Sequence, residues 1–108
     1  MSGPIQRTPE MARKMLASLW DRNLPILQIR IEDLERALTS ARAGRLTAEA
    51  RENACNTAHK LAGSLGMFGY PAGTDAARRL EQRLEGHAPI DPAALAGDLT
   101  DLKAALPI

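Results

Sequence analysis

Aromatic residues are nearly absent: the 108-residue chain holds one Trp, one Tyr and one Phe. A surface that stacks nucleobases needs such rings, and a net charge of +1 supplies no basic footprint, so nucleic acid is not expected as a partner. The only cysteine is Cys55. No internal disulfide can form, which fits a reducing cytoplasm. No apolar run approaches the roughly 18 residues that mark a membrane span, and no signal-peptide pattern precedes the first helix. Nothing alternates apolar and polar residues with period two, so no strand is expected. A nucleotide-binding loop, internal repeats and low-complexity tracts are also missing. What is present is 44% hydrophobic residues among interspersed acids and arginines, enough for a modest core of Leu, Ile, Met and Ala in one domain.

The apolar spacing is helical throughout. Residues 1–8 read as a flexible lead, with Thr8 as N-cap and Pro9 at N1 of a short helix carrying Met11, Met15, Leu16 and Leu19. This helix is predicted to end near Asp21, because Pro25 cannot donate a backbone N–H and should restart or kink the chain. Met11, Met15 and Trp20 would then pack it over one end of the bundle. Leu27, Ile31, Leu34 and Leu38 form the stripe of the next helix, which Gly44 closes. Thr47 caps a helix running to about Gly69. Pro71 opens another with Ala76, Ala77, Leu80 and Leu84 inward, ending at Gly86. Asp91-Pro92 starts the last, with Leu95, Leu99, Leu102 and Leu106. Short links favour antiparallel neighbours. The expected fold is all-α: an antiparallel up-down-up-down four-helix bundle over residues 9–108, with a short N-terminal capping helix.

One segment carries chemistry. In Ala58-His59-Lys60-Leu61-Ala62-Gly63-Ser64-Leu65-Gly66-Met67-Phe68-Gly69, a rotation of about 100° per residue gathers Ala54, Leu61, Leu65 and Phe68 in one arc. His59 falls nearly opposite, sharing its face with Glu52, Asn56, Gly63 and Gly66. A glycine inside a helix costs roughly 1 kcal/mol relative to alanine. Two of them beside one exposed histidine point to a surface kept open for a partner.

This segment resembles the signature of histidine phosphotransfer (HPt) domains, roughly His-x-Leu-Lys/Arg-Gly-Ser/Ala followed by a further Gly. His59, Leu61, Gly63, Ser64 and Gly69 match in order, and Lys60 and Gly66 occupy positions the family often fills this way. Ala62 departs from it, standing where many members carry a second basic residue. The resemblance implies that His59 is the phosphoacceptor in a phosphorelay of two-component signalling. It implies response-regulator receiver domains and a hybrid sensor histidine kinase as partners, with Mg²⁺ and the acidic residues that bind it supplied by the receiver. The protein is then not an autonomous enzyme, needs no cofactor or metal of its own, and acts as a cytoplasmic monomer. Cys55, Asn56, Ala62, Gly63 and Gly66 are the expected receiver docking surface.

Lys60, about 100° round the helix from His59, is placed to compensate phosphate charge, the more so with Ala62 in place of a base. Glu81 follows from register. If the chain turns near Tyr70, His59 lies eleven residues before the turn and Glu81 eleven after it, each leg spanning roughly 16 Å. A carboxylate there can accept from Nδ1–H of His59, with Gln82 as competitor if the turn is one residue longer. Cys55 and His59 are spaced as a pair of metal ligands, but zinc needs three or four and only Glu52 is near. Two other readings stay open: a docking module that carries no phosphate, and a phosphoacceptor domain excised from a larger histidine kinase.

Overall fold

Four α-helices build the computed structural model, which describes residues 9–108: α1 Pro9–Arg42, α2 Ala48–Phe68, α3 Pro71–Leu84 and α4 Pro92–Ala104. The described residues contain no strand. The expected lead 1–8 and the Thr8 cap lie outside the described residues. Local chemistry sets the helix ends. The Thr47 hydroxyl accepts from Ala50 N–H, the Asp91 carboxylate accepts from Ala93 N–H, and Pro71 and Pro92 occupy first-turn positions where no N–H is missed. Gly69 ends α2 in the left-handed region at φ 80°, and Tyr70 N–H donates back to the Leu65 carbonyl.

The first helix departs from expectation. Residues 9–42 form one continuous helix through Pro25, not a capping helix followed by a restart. The proline removes a single hydrogen bond, the one that would reach the Asp21 carbonyl, and both residues lie on the exposed side of the helix rather than in the core, where losing that bond costs least. Nor does the N-terminal stretch fold over the bundle. Residues 9–19 are exposed, Met15 and Leu19 among them, and they project past the end of the bundle. The contact made there is by Trp20, whose ring lies 5.3 Å from Phe68 and 4.9 Å from Tyr70.

The core follows the predicted stripes. Leu27, Ile31, Leu34 and Leu38 of α1 meet Ala54, Ala58, Leu61 and Leu65 of α2, Ala76, Ala77, Leu80 and Leu84 of α3, and Leu95, Leu99, Leu102 and Leu106. Each fully buried leucine contributes roughly 1.5–3 kcal/mol of transfer free energy. The helices touch in a ring, α1 on α2, α2 on α3, α3 on α4 and α4 on α1. Along α2 and α3 the contacts run in opposite senses: Arg51 meets Leu84, His59 meets Glu81 and Ala62 meets Thr74. A Cβ on Gly73 would stand 3.1 Å from Leu65 Cδ1 and 3.3 Å from Leu106 Cδ2, so glycine there lets α3 approach closely.

Candidate functional site

His59 sits midway along α2 with its side chain 73% exposed. Its backbone is held rigidly because Ala58 and Leu61 on either side are fully buried. The two-residue link between α2 and α3 returns the chain at once, and the register inferred from residue counting is the one observed. Glu81 Oε2 lies 2.7 Å from His59 Nδ1. A carboxylate only accepts, so Nδ1 carries the hydrogen, and in the neutral ring Nε2 is left as a lone pair. Nε2 has no partner among the described residues and faces solvent. Glu81 is less exposed, 22%, and the competitor Gln82 is directed outward.

The surroundings are open on one side. A Cβ on Gly63 would meet nothing within 4 Å, and one on Gly66 only Thr74 Oγ1 at 3.7 Å. Asn56 and Lys60 are exposed on the same helix. Among the described residues neither Lys60 nor Arg78 has an ion-pair partner, whereas Arg51, Arg79 and Arg83 of the same two helices are engaged.

Two of the expected docking residues are placed differently. Ala62 is buried, only 6% exposed, and its carbonyl accepts from the Thr74 hydroxyl. It belongs to the α2–α3 seam and presents no docking surface, because the shoulder of α3 covers it. Cys55 is half-buried in the same seam, its thiol donating to the Glu81 carbonyl at 3.5 Å. Burial pushes the Cys55 thiol up, the Glu81 and Glu85 carboxylates add to this, and Arg51 partly offsets it. The thiol is therefore protonated and a donor at neutral pH. Among the described residues no three His, Cys, Asp or Glu side chains converge to hold a metal ion.

Sequence reasoning missed two charged groups. Arg51 donates from Nε to the Leu84 carbonyl, from Nη1 to Ala88 and from Nη2 to Glu85. Asp98 is buried between Arg79 and Arg83. Neither has a local signal, since each is one charge in an ordinary helical pattern and only the tertiary partner gives it a role.

The family model described as Hpt domain matches residues 18–107. No curated protein and no solved structure matches the chain. Hpt domains are phosphotransfer modules of two-component signalling, not classical enzymes, and they interact with receiver domains and kinases. No helix of the described residues is long and apolar enough to cross a membrane. An exposed histidine with one nitrogen tied and the other turned outward, on a four-helix scaffold matched over residues 18–107, places this chain in the Hpt domain family.

Proposed function

We propose that the protein is a phosphorelay intermediate that takes a phosphoryl group onto His59 from the aspartate of one receiver domain and passes it to another. The observation that carries this reading is the His59–Glu81 contact of 2.7 Å on an otherwise exposed ring. Glu81 holds Nδ1–H, so the Nε2 lone pair attacks the phosphorus of an aspartyl phosphate in line. The P–O bond to the aspartate breaks as the P–N bond forms. The positive charge that develops on the ring is shared with the Glu81 carboxylate. Lys60 compensates the phosphate oxygens as a point charge.

The rest of the catalytic apparatus comes from the partner: the receiver brings Mg²⁺ and its acidic ligands, and the interface assembles the in-line geometry. Asn56, Gly63 and Gly66 form the docking face beside His59, with Cys55 at its edge. The domain, residues 9–108, acts in the cytoplasm as a monomer between a hybrid sensor histidine kinase and a response regulator.

The test is His59→Gln. The variant is expected to lose all acid-labile, base-stable phosphorylation by a phosphorylated receiver, with helicity and Tm nearly unchanged because the ring buries little surface. Phosphorylation that persists in the variant would overturn the assignment.

A further inference from the structure

We propose that Arg51 is a positioning residue for the phosphoacceptor, acting through α3 to keep Glu81 on the His59 ring; this rests on the reading of His59 as the phosphoacceptor. Arg51, Cys55 and His59 follow one another at four-residue intervals on the α3-facing edge of α2, and each makes a hydrogen bond across the seam. Arg51 stands first in the row and makes three, to Leu84 at 2.8 Å, Ala88 at 2.7 Å and Glu85 at 3.0 Å. These carbonyls belong to the end of α3 and the link beyond it, where backbone acceptors have no partner within the helix. A cation at a helix C-terminus is also favoured by the peptide dipoles.

Glu81 stands one turn from that end. A 14-residue helix is marginal by itself, and its last turn frays unless something holds it. The connection from Arg51 to Glu81 is continuous: the Glu85 carbonyl takes the Arg51 guanidinium, while Glu85 N–H donates to the Glu81 carbonyl at 2.9 Å. The Cys55 thiol, a weak donor, reaches that same Glu81 carbonyl. Arg51 thus supplies the charge-assisted bonds at this end of the seam, and the carboxylate at position 81 inherits their precision.

The experiment reads the ring directly, without phosphate. In protein labelled with ¹⁵N at histidine, the two ring-nitrogen shifts give the populations of the Nδ1–H and Nε2–H tautomers. Arg51→Lys keeps the positive charge and the apolar stem, but one ammonium cannot span three carbonyls. The Nδ1–H population is expected to fall toward that of Glu81→Ala. Phosphotransfer from a phosphorylated receiver is expected to slow by about twofold to threefold, part of the roughly fivefold loss that one ordinary hydrogen bond is worth. In the Glu81→Ala background, Arg51→Lys should change neither quantity further. An unchanged tautomer ratio in Arg51→Lys would overturn the proposal, as would an equal loss of rate with Glu81 absent. A second measurement needs no variant: the Arg51 Nε–H should exchange with solvent more slowly than that of Arg78, and equal rates would overturn the clamp. Phosphorylation of His59→Gln would instead remove the phosphoacceptor reading and leave the tautomer coupling standing.

Discussion

Helix α3 is joined to its two neighbours by the same kind of contact put to different ends. On the α4 side, Asp98 is 8% exposed and takes guanidinium groups from both Arg79 and Arg83, with Asp101 sharing Arg79. On the α2 side, Glu81 meets a single imidazole that is itself 73% exposed. The first carboxylate is saturated by fixed cations and buried, so it ties two helices together and can do little else. The second is matched to a group that must remain reachable and whose charge changes during reaction. Burial and the number of partners separate a structural ion cluster from a site better than the presence of charge does.

The sharpest way to break the comparison is to close the open side of the α2 face. Gly63→Gln is expected to slow phosphotransfer on the order of 100-fold by displacing the receiver from His59, with the fold intact. Gly63→Ala, whose Cβ meets nothing within 4 Å, should stabilise the helix by up to about 1 kcal/mol. Transfer assays on both proteins check this, and normal rates with Gln would show that partners do not pass over this surface.

The next largest effect lies on the other seam. Asp98→Ala leaves two guanidinium groups without their shared partner. Because these are more than 40% exposed, the cost should fall below the usual range for a broken buried pair, at about 2 kcal/mol. That corresponds to a Tm lower by roughly 10 °C. The His59 tautomer ratio should stay as it is. A thermal melt with a ring-nitrogen spectrum tests both halves, and a change in the tautomer ratio would merge the two seams into one system.

The smallest effect sharpens the role of Glu81. Glu81→Ala should slow transfer about fivefold without abolishing it, since the nucleophile remains. Glu81→Gln should retain more activity, because its amide oxygen still accepts from Nδ1–H. Equal rates in all three proteins would reduce Glu81 to a surface charge.

Much of this was legible in the residues, for identifiable reasons. Apolar periodicity selects the side of a helix that faces the bundle centre, and Leu27, Leu61, Leu80 and Leu102 all lie there. A short link with proline after it makes counting outward from Tyr70 sufficient to bring His59 level with Glu81. Ala62 is assigned to the docking face from its place in the motif, but a motif position does not say how far round a helix its neighbour's shoulder extends. Proline at position 25 suggests a restart or a kink after a helix ending near Asp21, yet one lost hydrogen bond on an exposed face does not end a helix whose inner face is anchored by Trp20 on one side and Leu27 on the other. Arg51 and Asp98 were illegible because arginine and aspartate are ordinary on helix surfaces until a partner distant in sequence arrives.

The Trp20–Phe68–Tyr70 cluster has an optical consequence. Every aromatic ring of the chain is in it, so near-ultraviolet dichroism and intrinsic fluorescence originate from one spot, where α1 leans on the turn between α2 and α3. A fluorescence melt of this protein therefore follows α1 lifting from that turn, and is nearly blind to events at the opposite end of the α2–α3 pair, where Arg51 holds the last carbonyls of α3.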